Sequence, residues 1–137
     1  MVVVLIAAAT ALAAGVLGVG RQGRQLRAAV DTVASELRYT RTRALMTGQS
    51  QTFAIDLARR GWAAADHHGS LPADLQVTVD AVREEQHGPR DLAIRFFPDG
   101  SSTGGRISLR SGRVGWRVDV RWLTGEISRD RLPDLPR

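Results

Sequence analysis

Three patterns of apolar and polar positions follow one another along the chain. Residues 2–20 read Val-Val-Val-Leu-Ile-Ala-Ala-Ala-Thr-Ala-Leu-Ala-Ala-Gly-Val-Leu-Gly-Val-Gly; they carry no charge, and Thr10 is their one polar side chain. As a helix rising about 1.5 Å per residue they would reach about 28 Å, close to the hydrocarbon thickness of a bilayer. A buried helix in so small a domain would show a polar face, so the pattern predicts a membrane span. A cleaved secretory signal is the other reading: Ala11-Leu12-Ala13 offers small residues at cleavage spacing, but no basic region precedes the run and the run is long for a signal core.

The second pattern is helical and one-sided. Leu26, Val30, Val33, Leu37, Ala44 and Leu45 recur at three- and four-residue spacing, while Arg24, Arg27, Asp31, Glu36, Arg38, Arg41 and Arg43 occupy other positions. A stripe that begins where a span ends predicts one helix continuing out of the bilayer to lie against a sheet. Thr47-Gly48 supplies its stop, giving a helix on the order of 70 Å if unbroken from Met1. Gly15, Gly18, Gly20 and Gly23 are the places where it could bend.

After Gly48 the period becomes alternating. Phe53, Ile55 and Leu57 face away from Thr52, Ala54 and Asp56, and Arg59-Arg60-Gly61 turns the chain toward Trp62, predicting a strand and a hairpin. Leu75, Val77 and Val79 alternate next, then Leu92, Ile94 and Phe96, the latter strand closed by a Phe97-Pro98-Asp99-Gly100 turn. Val114, Trp116, Val118, Val120 and Trp122 form one face opposite Arg117, Asp119 and Arg121. Such alternation predicts an antiparallel sheet with one dry face, covered by the helix stripe and a second layer of strands. The fold class is therefore α+β, with residues 1–20 as the transmembrane half of the helix, 21–47 as its amphipathic half, and 48–137 as a β-rich domain.

Composition narrows the chemistry. Of 137 residues about 117 remain after the apolar run, enough for one compact domain. There is no cysteine, which excludes disulfides and thiolate metal sites. Every basic residue is arginine, 19 against 14 acidic, for a net charge of +5. Such a balance suits an anionic partner or, since the arginines are spread along the domain, a solubilising surface. Arg21, Arg24 and Arg27 just after the span would, by the positive-inside bias, hold that side in the cytoplasm; a basic leader before Met1 would reverse the orientation.

Catalytic constellations are scarce. Asp66-His67-His68 is the one cluster that invites a metal or acid–base reading, with His87 the remaining histidine. Adjacent histidines diverge on a strand and on a helix, so an exposed loop between Asp66 and Pro72 is the expectation. Ser101, Ser102 and Ser111 lie in turn contexts without a nucleophile elbow. Gly104-Gly105-Arg106 lacks the ending of a phosphate-binding loop and precedes a strand, which fits a hairpin connection. Glu84-Glu85, His87 and Arg90 read as a solvated loop. No catalytic, cofactor-binding or metal-ligating residue is assigned, and no cofactor is expected.

Four segments together carry a family resemblance: Leu37-Arg38-Tyr39-Thr40-Arg41-Thr42-Arg43-Ala44-Leu45, Phe53-Ala54-Ile55-Asp56, the stretch from Phe96-Phe97-Pro98-Asp99-Gly100-Ser101-Ser102 to Thr103-Gly104-Gly105-Arg106-Ile107, and the closing Trp116 to Gly125 segment with Trp122-Leu123-Thr124-Gly125. With the uncharged helix before them, they resemble the minor pseudopilin H family of type II secretion systems, pilin-like proteins related to minor pilins of the FimT type. The resemblance implies a single-pass inner-membrane subunit whose domain, two small sheets packed on the helix, lies in the periplasm. It also implies a structural role in a short filament, at or near its tip, that supports export of folded proteins. Implied partners are other major and minor pseudopilins through the N-terminal helix, the inner membrane, and secreted substrate or secretin.

Members of that family begin with a basic leader cut after a glycine, then a methylated phenylalanine and a glutamate near the fifth mature position. Met1 here lies inside the apolar run, and the expectation is that those features lie upstream of it. In such a filament, helices pack through small residues; Ala11 with Gly15 and Ala14 with Gly18 both fit that spacing, so no single face stands out. The alternative function is a type IV pilus minor pilin binding DNA through Arg110, Arg113, Arg117, Arg121, Arg129 and Arg131. Asp119, Glu126, Asp130 and Asp134 interrupt that set, and aromatic residues for base stacking are missing from the polar face. A membrane-tethered hydrolase using His67 or His68 is a third, more distant reading.

Overall fold

The computed structural model describes the backbone of residues 2–81 and 91–136, with side chains from 20–81 and 92–136. One helix and eight strands follow in order: α1 (Val2–Thr47), β1 (Gln51–Asp56), β2 (Gly61–Ala64), β3 (His67–Ser70), β4 (Gln76–Ala81), β5 (Asp91–Phe96), β6 (Gly105–Ser111), β7 (Val114–Val120) and β8 (Ile127–Leu132). The helix is continuous through Gly20 and Gly23. It stops where Gly48 takes φ 68° and its N–H donates to the Ala44 carbonyl at 3.1 Å, a left-handed cap that glycine adopts without a Cβ clash.

The strands form two four-stranded antiparallel sheets, ordered β3-β2-β1-β5 and β4-β6-β7-β8. In the first, Phe53 stands opposite Ala64 on one side and Ile94 on the other. In the second, Leu109 faces Trp116, and Trp116 faces Arg131. Both sheets pack on α1. Leu26, Val30, Val33, Leu37 and Ala44 from the helix, Phe53, Ile55, Ile94 and Phe96 from the first sheet, and Ile107, Leu109, Val118 and Val120 from the second make one core.

The helix stripe runs on where its apolar spacing lapses. Between Leu37 and Ala44 the inward position is Thr40, fully buried, whose hydroxyl donates to the Glu36 carbonyl at 2.7 Å. A polar side chain is tolerated there because the helix's own backbone satisfies it. Leu45 lies outside the core. One residue beyond Ala44 it is rotated about 100° around the axis, and it is 44% exposed.

Two more expectations are corrected. Val114 and Trp122 flank the inward face of β7 without belonging to it: β7 spans Val114–Val120, Val114 is at the exposed hairpin end, and Trp122 lies in the turn beyond, 67% exposed. The stretch expected as an exposed loop between Asp66 and Pro72 holds β3, an edge strand paired with β2 by Ala64 opposite His67 and Gly61 opposite Ser70. Histidine, glycine and serine give it little strand signal of their own; pairing with β2 supplies the order. The expected loop from Ala81 to Pro89, with Glu84, Glu85 and His87, and Arg90 after it, lies outside the described residues apart from Ala81, which ends β4. The span expected at 2–20 falls where only the helix backbone is described, apart from Gly20; among the described residues no helix is long and apolar enough to cross a membrane.

The stripe and its correction make a paired prediction. Leu37→Ala leaves a cavity in the core and is expected to cost about 3 kcal/mol, whereas Leu45→Ala is expected to cost under about 1 kcal/mol. Denaturant unfolding of the full chain in detergent measures both, and equal costs would contradict this account of the packing.

Candidate interaction site

The end of α1 gathers the two most distinctive sequence segments around one side chain. Arg41 Nε donates to the Gly100 carbonyl at 3.1 Å and its Nη2 to the Thr124 carbonyl at 3.2 Å. One guanidinium thus holds the Pro-Asp-Gly-Ser turn that follows β5 and the Trp-Leu-Thr-Gly turn that follows β7 against the helix. Gly125, at φ 70°, closes the second turn by donating to the Arg121 carbonyl at 2.8 Å. A Cβ there would lie 1.9 Å from the Gly100 carbonyl oxygen and 2.9 Å from Arg41 Nε, so both conformation and space require glycine.

The serines of the first turn are bound up in it. Asp99 Oδ1 accepts from the Ser101 N–H at 3.0 Å and the Ser101 hydroxyl at 2.6 Å. Those bonds, the side-chain one first, hold the Asp99 carboxyl below its usual range. Ser102 is buried; its N–H donates to the Trp122 carbonyl at 2.7 Å and its hydroxyl accepts from the Gly104 N–H at 2.7 Å. Thr103 bonds β5 both ways, N–H to the Arg95 carbonyl at 3.0 Å and Oγ1 from the Arg95 N–H at 3.1 Å. The run from Asp99 to Gly104 therefore rivets the first sheet to the second. Ser111 ends β6, at the hairpin leading to Val114.

Around this rivet large apolar side chains reach the surface. Trp122 and Leu123 are each 67% exposed, and Met46 is 78% exposed. Leu45 belongs to the same end, since a Cβ on Gly100 would touch its Cδ2 at 3.4 Å. Beside Trp122 and Leu123 a groove of about 760 Å³ opens, lined also by Asp80, Gly104, Arg106 and Asp119. Large apolar side chains held on turns this tightly bonded offer a preorganised contact patch.

The histidine cluster is part of a second joint. Tyr39 donates to Asp66 Oδ1 at 2.6 Å, the His67 ring stacks on Tyr39 with centroids 4.1 Å apart, and His67 Nδ1 meets Glu36 Oε2 at 2.9 Å. Asp66 and His67 fasten the β2–β3 hairpin to the helix, while His68, next along the strand, projects to its other face. Ala65 in the two-residue loop holds φ 52°, unusual for a residue with a Cβ. The arginines offered for DNA are largely engaged: Arg117 with Asp119 and Asp130, Arg121 with Glu126, Arg129 with Asp31, Arg131 with Asp134. Arg106 bonds Asp119 at 2.7 Å, which raises the Arg106 pKa.

Gly125→Ala is expected to cost at least about 2 kcal/mol, because the new methyl drives the two turns and Arg41 apart; loss of hydrogen-exchange protection at the Gly125 amide reads it directly. The Tyr39–Asp66 bond sets a pH window. It raises the phenol above its usual 10.0, so the phenol's contribution is present below that value and lost as pH rises through the folded one. It lowers the carboxyl below its usual 3.8, so that contribution is present above 3.8 and lost as pH falls through the folded value. The stability difference between wild type and Tyr39→Phe is therefore expected to stay level from about pH 5 to 9 and to shrink on both sides, measured by thermal unfolding across pH.

Residues 29–124 match the family described as type II transport protein GspH, a span holding the helix stripe from Val30 onward, strands β1 to β7 and both carbonyls that Arg41 holds. Type II secretion system protein H of Xanthomonas campestris pv. campestris is 49% identical over 128 residues, 93% of this chain and 76% of that protein. Among solved structures, the minor pseudopilin EpsH from the type 2 secretion system of Vibrio cholerae superposes with a TM-score of 0.62 at 15% identity, over 78% of this chain and 97% of that one. The type IV minor pilin FimU of Pseudomonas aeruginosa gives 0.60 at 13%, over 81% and 95%. The two structures share the fold, one helix against two antiparallel sheets; family model and sequence identity together make this chain a member of the GspH family of type II transport proteins.

Proposed function

We propose that the chain is a minor pseudopilin, a structural subunit of the type II secretion pseudopilus at or near its tip, and that it carries out no catalysis. The reading rests above all on the 49% identity to type II secretion system protein H across 93% of the chain. Residues 1–20 anchor it once in the inner membrane, 21–47 continue the helix outward, and 48–137 form a domain in the periplasm. Anchoring suits residues 2–20, whose side chains are uncharged and whose backbone is helical. In the filament the same apolar half packs against other pseudopilins, and the small residues of 7–20 permit close approach.

The apolar end at Trp122, Leu123, Leu45 and Met46 is the surface through which the domain meets its neighbours, secreted substrate or secretin. Its rigidity comes from the Arg41 clasp, so contact costs little ordering of the turns. The DNA-binding alternative has less support, because Arg117, Arg121, Arg129 and Arg131 each already face a carboxylate and would have to exchange it for phosphate.

Deleting the gene is expected to abolish release of folded exoproteins without affecting their transfer to the periplasm, and the wild-type chain is expected to restore it. The double substitution Trp122→Asp/Leu123→Asp is expected to restore at most about a tenth of secretion, as loss of an apolar hot spot does to binding, at unchanged melting temperature. Full secretion by that variant would remove the apolar end from the interface.

A further inference from the structure

A second groove, of about 590 Å³, lies at the end of the domain where the apolar half of the helix gives way to the amphipathic half. Gly20, Gly23, Arg24, Leu26 and Arg27 form its helix wall, and Ser111, Val114, Trp116 and Arg131 its sheet wall. The helix wall is open by composition, since a Cβ on Gly20 or Gly23 would meet nothing within 4 Å. The floor is apolar: Leu26 is buried and Trp116 packs against the core. The rim is cationic. Arg27 lies over the Trp116 ring at 5.2 Å, which fixes its guanidinium while leaving the in-plane N–H groups to other partners. Among the described residues Arg24 spends only Nε, on the Gly20 carbonyl at 3.3 Å. Arg131 meets Asp134 at 3.3 Å, both more than half exposed. Arg21, Arg24, Arg27 and Arg113 have no carboxylate partner among the described residues. Arg24 and Arg27, without a carboxylate partner among the described residues, and Arg131, whose pair with Asp134 is open to solvent, therefore line the groove, whereas Arg117 and Arg129 pair across to a neighbouring strand or to the helix.

We propose that this groove binds the phosphate of an anionic phospholipid from the leaflet in which the apolar half of the helix ends. The proposal rests on the anchored reading above. An anchored helix places residues 20–27 at headgroup depth, where guanidinium groups meet lipid phosphates bidentately and an indole sits at the boundary between apolar and wet. The groove matches a phospholipid in parts: Arg24 and Arg27 take the phosphate, Arg131 adds positive charge at the rim while held by Asp134, and Val114, Trp116 and Leu26 cover the glycerol and first methylenes. This occupant also accounts for charges that oppose the positive-inside bias, because they are retained for what they hold on the outer side.

The test uses the full chain in nonionic detergent, titrated by native mass spectrometry with phosphatidylglycerol and, separately, phosphatidylcholine. Wild type is expected to prefer phosphatidylglycerol by at least about tenfold, given roughly a tenfold gain for one to two well-placed arginines. Arg24→Gln/Arg27→Gln/Arg131→Gln is expected to bring that ratio to near one, and Arg24→Gln/Arg131→Gln, which keeps Arg27 on Trp116, to lower it by more than half. Arg121→Gln, at the far end, is expected to leave it unchanged. Equal binding of both lipids, a preference that survives the triple substitution, or its displacement by inorganic phosphate would overturn the proposal; so would duplex DNA binding lost on the same substitutions, which would assign the groove to nucleic acid. Alkaline extraction from phosphatidylcholine vesicles reads the anchor separately. A chain that is extracted fails the anchored reading; one that stays embedded without lipid preference fails only this proposal.

Discussion

Everything in the domain is arranged around the burial of one narrow stripe on α1. From Leu26 to Ala44 it extends over about 27 Å of helix. Both sheets pack on it, and the polar residues beside it divide between them. At about 100° per residue, Arg27, Asp31 and Arg41 fall on one flank, and Gln25, Thr32, Glu36 and Tyr39 on the other. The first flank meets the second sheet and its turns, through Arg27 over Trp116, Asp31 with Arg129, and Arg41 on Gly100 and Thr124. The other meets the first sheet, through Glu36 with His67, Tyr39 with Asp66, and Gln25 and Thr32 near Trp62 and Leu71. Burial of Leu26, Val30, Val33 and Leu37 supplies the gross stabilisation, about 2 kcal/mol per side chain. The flanking pairs are exposed and weak one by one; their part is to give each sheet its own edge of the helix.

The Arg41 clasp explains why two sequence segments far apart in the chain look alike in kind. Both are turns that leave a strand at the end of the helix, and both present a carbonyl to the same guanidinium. With the carbonyls converging, Gly125 has no room for a side chain, and the rest of its turn points outward as Trp122 and Leu123. Packing requires the glycine, but nothing inside the domain requires an exposed tryptophan next to it. That asymmetry is what marks the turn as a surface feature rather than a core one.

Much of the architecture was legible because period reports burial: the one-sided helix, its stop at Gly48, the strands around Phe53 and Ile94, and the inward Val118 and Val120 all follow from spacing. The errors share a cause. Leu45, Val114 and Trp122 continue a pattern past the point where the element or the cover stops, and spacing carries no information about where a partner ends. Strand β3 was illegible for the opposite reason, as His67, His68, Gly69 and Ser70 have weak strand preference and are ordered by their neighbour. Thr40, buried in the stripe between Leu37 and Ala44, carries no hydropathy signal of its place, because its satisfaction by the Glu36 carbonyl is a local bond. The Arg41 clasp had no periodic signal at all; the glycines of two turns and an arginine near a helix end were present, but only the fold places them together.

Arginine content misleads when read as a total. A net charge of +5 suggests a basic surface, yet Arg106, Arg117, Arg121, Arg129 and Arg131 all sit within reach of carboxylates. Such pairs neutralise one another at short range, and their field decays within a Debye length of about 10 Å. Among the described residues, Arg21, Arg24 and Arg27 and the hairpin tip at Arg113 lack that compensation, as do Arg38, Arg41, Arg43, Arg60 and Arg110. Net charge predicts a partner only where it survives pairing, and one place where it survives is the cluster Arg21, Arg24 and Arg27 where the apolar run ends. The opposite end presents Trp122 and Leu123, large apolar side chains that no intradomain packing requires to be exposed, beside Arg121 and Glu126.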